Sequence, residues 1–151
     1  ETSMSEISDK SYLIDFVVRH LWHKISRMYN QKANEYGLTV SIGFILLNID
    51  KEGTPSTQLG PKMGMEPTSL SRTLKTMEEK GLIHRKSDKK DKRKVLIHLT
   101  EEGVTKRKIA KTVIIDFNER LIGSIPKGKL KIFYEVAERL DTTIDIESNN
   151  I

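Results

Sequence analysis

A chain of 151 residues with 26 basic and 21 acidic side chains, a net charge of +5, is the size of one ordinary domain and long enough to bury a core. It holds no cysteine, which excludes disulfides, thiolate zinc sites and thiol redox chemistry, and no run approaches the roughly 18 apolar residues of a membrane span. No charged-then-apolar leader with a small-residue cleavage site opens it, so a soluble, cytoplasmic protein is expected. Glu1, Thr2 and Ser3 precede Met4 and read as an expression remnant, and a single domain is expected over residues 4–151.

Leu13, Phe16, Val17, Leu21, Ile25 and Met28 recur mostly at threes and fours, which predicts an amphipathic helix over about residues 8–34, closed by Gly37. Thr39 is a candidate N-cap for a second, apolar helix running to about Asp50, where Lys51-Glu52-Gly53 ends it. Thr54-Pro55-Ser56-Thr57 reads as a helix start, and residues 58–63 allow two turns before Gly64 stops them. Glu66-Pro67 opens the next helix, with Leu70, Leu74 and Met77 as its buried stripe and Gly81 as its stop. Leu82-Ile83 begins a strand. Residues 85–94 hold no apolar side chain, and then Val95, Ile97 and Leu99 alternate with Leu96 and His98 as a half-buried returning strand should. Thr100-Glu101-Glu102-Gly103 caps a helix over about 101–123. A last helix runs over about 126–144, with Leu130, Phe133, Val136, Ala137 and Leu140 on one face. The tail beyond Leu140 carries three acidic residues and no basic one, and is expected to fray. The fold class is therefore mainly α with a small β-hairpin.

The charge is concentrated. Of the 26 basic and 21 acidic residues, seven and two fall between His84 and Lys94, so the remainder balances at 19 of each. This basic hairpin directly follows two short helices joined by the turn Met63-Gly64-Met65-Glu66, an order that forms one surface in a winged helix-turn-helix. The helix-turn-helix is carried by residues 54–83 and the wing by residues 84–100. The second helix presents Pro67, Thr68, Ser69, Ser71, Arg72, Lys75 and Thr76 opposite its buried stripe. A major groove about 12 Å wide admits one helix, small hydroxyl side chains permit close approach, and an arginine bonds guanine O6 and N7 with two donors at once. Its N-terminus directs free N–H groups at phosphate, and Lys89, Lys90, Lys92, Arg93 and Lys94 add salt-sensitive affinity that ignores sequence. Double-stranded DNA is the expected partner.

The same residues resemble a known family. Leu38 to Leu47, Gln58-Leu59, Ser69-Leu70-Ser71-Arg72-Thr73-Leu74, Glu78-Glu79-Lys80-Gly81-Leu82-Ile83 and the wing pattern Asp91, Arg93, Leu99 and Thr100 look like the MarR (multiple antibiotic resistance regulator) family, over almost the whole chain. The resemblance implies a homodimer in which the N- and C-terminal helices, residues 8–34 and 101–146, interlock, leaving residues 38–100 as the DNA-binding lobe. It further implies a palindromic operator, an arginine at Arg93 that reaches the minor groove, and an aspartate at Asp91 that braces it; repression is expected of a protein that occupies promoter DNA without an obvious polymerase-contacting domain. A narrow minor groove favours arginine through its enhanced negative potential. Gly60-Pro61 departs from the uninterrupted third helix of similar proteins, so that helix is expected to be short, kinked or partly 3₁₀.

Related regulators often bind small phenolic anions, and Trp22, His23, Tyr29 and Tyr36 are the candidate lining for a small aromatic or anionic effector, although any one such aromatic more often packs the core or the dimer interface. His20 and His23 are too few to hold a structural zinc, so no metal or other cofactor is expected. No phosphate loop, nucleophile elbow or His-Glu-x-x-His motif points to an enzyme. A winged helix that serves only as a protein-interaction module is the alternative, and Arg72, Arg93 and the lysine-rich hairpin argue against it.

Overall fold

The computed structural model describes residues 13–151, so the first residues expected in the N-terminal helix, 8–12, lie outside the described residues. The elements run α1 (Ile14–Glu35), α2 (Val40–Leu47), β1 (Thr54–Pro55), α3 (Ser56–Met63), α4 (Pro67–Glu79), β2 (Ile83–Ser87), β3 (Val95–Leu99), α5 (Glu101–Gly123) and α6 (Lys127–Asn149). The chain divides within α5 into two compact units, one extending to Val113 and the other Ile114–Ile151. No helix among the described residues is long and apolar enough to cross a membrane.

The first unit is built around a continuous apolar cluster that includes Leu38, Ile42, Ile45 and Leu46 from α2 and its approach, Leu59 from α3, Leu70, Leu74 and Met77 from α4, and Ile83 and Ile97 from the sheet. Each large aliphatic side chain taken fully out of water there contributes about 1.5–3 kcal/mol. The stripe expected on α4 is the stripe that is buried. The Thr39 side chain accepts the Ile42 N–H at 3.2 Å, as an N-cap should. α1, α3 and α4 end alike: Gly37, Gly64 and Gly81 take φ of 70°, 63° and 74°, and the residue after each glycine bonds back to the carbonyl five positions earlier. That pairing satisfies carbonyls the helix leaves over, in a backbone conformation only glycine adopts cheaply.

Three sequence expectations need correction. Thr54 and Pro55 do not begin a helix; they form β1, which pairs antiparallel with β3 through Thr54↔Ile97 and Pro55↔Leu96. The sheet consequently has three strands in the order β1-β3-β2 rather than being a bare hairpin. A proline, lacking an N–H, is tolerated here because β1 is an edge strand. Thr54 is fully buried, and its hydroxyl accepts the Asp50 N–H at 2.8 Å. The third correction concerns the tail: α6 continues to Asn149 instead of fraying after Leu140. No glycine or proline occurs from Lys129 to Asn150 to stop it, and that outweighs an unfavourable acidic excess near a helix C-terminus.

α3 is short, as Gly60-Pro61 implied, but it is α-helical from Ser56 to Met63 with Pro61 inside it. In eight residues the proline removes a single ladder bond, to the Thr57 carbonyl. β2 and β3 pair from Ile83↔Leu99 to Ser87↔Val95. The burial alternation along β3 is weaker than its sequence suggests: Ile97 is fully buried, Leu99 half-buried and Val95 exposed, because the hairpin leaves the core towards its tip. α5 spans the residues expected of it, and the Thr100 hydroxyl accepts the Gly103 N–H at 3.0 Å at its start. α6 has no buried residue.

Candidate nucleic-acid interface

α4 starts at Pro67, whose missing N–H costs nothing in a first turn, and Glu66 before it makes no side-chain cap. Burial of Leu70, Leu74 and Met77 turns Pro67, Thr68, Ser69, Ser71, Arg72 and Lys75 outward, and all six are exposed. Thr73 and Thr76 differ from the other hydroxyl residues. Their Oγ1 atoms donate to the carbonyls of Ser69 (2.9 Å) and Arg72 (3.2 Å), so these hydroxyls are engaged by the helix itself. Thr76, expected on the polar face, is half-buried.

The hairpin tip, residues 88–94, is built by two aspartates. Asp88 accepts the Lys90 N–H at 3.1 Å and Asp91 accepts the Arg93 N–H at 3.0 Å, each a side chain replacing a backbone turn two residues on. Asp88 and Lys94 close the loop through an N–H to carbonyl bond of 3.0 Å. The Asp91 carboxylate also lies 3.6 Å from Arg93 Nε, while the Arg93 side chain is 94% exposed. Lys89, Lys90, Lys92 and Lys94 are exposed beside it. Asp88 was missed by sequence reasoning, although Asp88-Lys89-Lys90 repeats the spacing of Asp91-Lys92-Arg93 and was a usable signal.

Arg85 binds the two halves together from the side. Its Nε is 3.5 Å from the Glu78 carboxylate of α4, an exposed pair of small energetic value but definite geometry. Arg85 also lines an open cleft of about 590 Å³ between α3 and α4, together with Pro61, Met65, Pro67, Leu70 and Ser71 among others. None of the four residues expected to line an effector pocket is part of that cleft. Of these four, Tyr29 is buried edge-on against Phe44 at 5.9 Å, whereas Trp22, His23 and Tyr36 are exposed. The His20 ring stacks on Phe16, and no group of three or more metal-binding side chains occurs among the described residues. A residue that sequence reasoning had no signal for is Arg107 on α5, whose Nε is buried without a hydrogen-bond partner among the described residues.

A helix pair closed by a turn at Gly64, an exposed polar second helix and an adjacent basic hairpin define a winged helix-turn-helix. The MarR family model matches residues 38–95, the same segment. The chain is 32% identical over 118 residues to the uncharacterized HTH-type transcriptional regulator YwoH of Bacillus subtilis (strain 168), covering 72% of this chain and 85% of that protein. It is 31% identical over 98 residues to the HTH-type transcriptional regulator SarZ of Staphylococcus aureus (strain USA300), covering 64% and 66%. Among solved structures, the MarR family transcription regulator SP03579 superposes with a TM-score of 0.82 at 20% identity, over 99% of this chain and 100% of that one. The MepR–DNA complex of S. aureus gives a TM-score of 0.81 at 17% identity, over 88% and 99%. The chain belongs to the MarR family of transcriptional regulators, as its sequence motifs indicated. Both of these relatives are HTH-type transcriptional regulators.

Proposed function

We propose that the protein binds double-stranded DNA as a homodimer at a near-palindromic operator, with half-sites about one helical turn, roughly 10 base pairs, apart. In this reading Pro67 to Lys75 of α4 enter the major groove, Arg72 and the free hydroxyls of Thr68, Ser69 and Ser71 meet base edges or phosphates, and Lys89 to Lys94 hold the flanking backbone or minor groove. The observation that carries it is the pairing of an exposed, polar α4 face with a tip on which Asp91 orients the 94%-exposed Arg93. MepR, similar in fold, has been solved bound to DNA. Dimerisation is supported by uncovered apolar side chains on the outer helices: Ile14 and Val18 of α1 and Ile132, Phe133 and Val136 of α6 are all at least half exposed. Isolated helices do not leave such faces in water without a partner.

Occupancy of promoter DNA makes repression the expected output, and release by a small effector follows if that ligand prefers a dimer whose two α4 helices are wrongly spaced. Fluorescence polarisation against random-sequence duplex across a salt series, with competition by the protein's own promoter region, tests the reading. Steep salt dependence and selective competition by the promoter support it, and no binding at low salt overturns it.

A further inference from the structure

Three elements meet at Thr100. Its hydroxyl donates to the Gly81 carbonyl at 2.6 Å, at the end of α4, and accepts the N–H of Gly103 at 3.0 Å, in the first turn of α5. Its backbone N–H donates to the Leu82 carbonyl at 3.1 Å, immediately before β2. Gly103 completes the junction: a Cβ there would overlap the same Leu82 carbonyl, so α5 approaches this backbone as closely as only glycine permits. One hydroxyl therefore joins the end of the recognition helix, the end of the returning wing strand and the start of α5.

We infer that Thr100 is a positioning residue for DNA binding, setting the angle between α4 and the wing through its paired hydrogen bonds to Gly81 and Gly103. The inference rests on the reading of α4 and the hairpin as the two DNA-contacting parts. It has a geometric cause. β2 runs five residues from its root at Ile83, about 16 Å at about 3.3 Å per residue, so a tilt of about 10° at the root displaces the basic tip by roughly 3 Å. That is the difference between a formed and a lost phosphate contact. Glu78–Arg85, a further tie between α4 and β2, is an exposed ion pair and yields easily.

The test compares wild type with Thr100→Val, which keeps the side-chain shape and loses both hydroxyl bonds, and with Thr100→Ser, which keeps them. Gly103→Ala is a second, independent disturbance that leaves the hydroxyl in place. Affinity is measured for the promoter fragment and for random duplex across salt, on protein shown to be folded by circular dichroism. Thr100→Val and Gly103→Ala are expected to weaken promoter binding at least fivefold and to flatten the promoter salt slope by about one to two, the signature of lost phosphate contacts. Thr100→Ser is expected to restore both. A loss of folded protein alone would scale both DNAs equally and leave the slope unchanged, and that result overturns the inference, as does failure of serine to rescue. Wild-type protein that binds neither DNA removes the DNA-binding reading itself, and the inference with it. Wild-type binding with unperturbed variants removes only the inference.

Discussion

The imidazoles of His84 and His98 face each other across β2 and β3 with ring centroids 5.3 Å apart and planes within 7°, and Gly53 packs so closely on the His98 ring that a Cβ there would lie 2.6 Å from it. Burial, then the neighbouring His84 and Lys86, lowers the His98 pKa from its ordinary 6.5. The folded state then binds fewer protons than the unfolded chain just below pH 6.5, so stability is fully present above that pH and falls as pH drops through the folded-state value. The thermal midpoint should decline between pH 7.5 and 5.5, and His98→Asn should flatten that decline. An unchanged slope in the variant would assign the effect elsewhere.

Arg72 and the tip lysines should fail differently. Arg72→Ala is expected to cost about 1–3 kcal/mol against the promoter and to relax base preference. Lys90→Ala or Lys92→Ala should weaken all duplexes alike and reduce the salt slope by about one. Competition binding with single-base promoter variants separates the two patterns, and identical behaviour would refute the division between reading bases and holding backbone.

Asp91 offers a test in which geometry and bulk charge predict opposite signs. Removing a carboxylate near phosphates should strengthen binding on charge alone. Because Asp91 accepts the Arg93 N–H and lies beside its guanidinium, Asp91→Ala is expected to weaken binding several-fold, with the melting temperature nearly unchanged. Asp91→Asn keeps the turn acceptor and should bind better than the alanine variant. Both are read by polarisation at one fixed salt.

The outer helices should report dimerisation directly. Phe133, 57% exposed on α6, belongs to an apolar face, and Phe133→Glu should shift the sedimentation coefficient from dimer to monomer and weaken promoter binding. A wild-type monomer that binds the promoter tightly when dilute would count against the proposed architecture.

Much of the candidate interface could be read from residue order because its determinants are local. The α4 stripe of Leu70, Leu74 and Met77 selects its own exposed face through the helical period, whatever the helix packs against. Thr39 and Thr100 act within three residues of their own positions as helix caps, and Gly37, Gly64 and Gly81 stop helices by backbone conformation alone. The wing is legible for the same reason: ten consecutive non-apolar residues have no core to enter.

Tertiary structure alone decided features whose partners are distant along the chain. β1 is two residues long, too short to show any period, and becomes a strand only because Ile97 and Leu96 lie opposite it. The fate of the α1 aromatics was likewise open: Tyr29 is buried because Phe44 is there to meet it, while Trp22 and Tyr36 remain exposed. The Thr100 junction depends on Gly81, 19 residues away, and on a Leu82 carbonyl approached by Gly103. Sequence determined what most segments are, since helical period, caps and charge act over a few residues. Only the folded chain determined which segments touch, because pairing is selected by shape and burial among residues far apart in sequence.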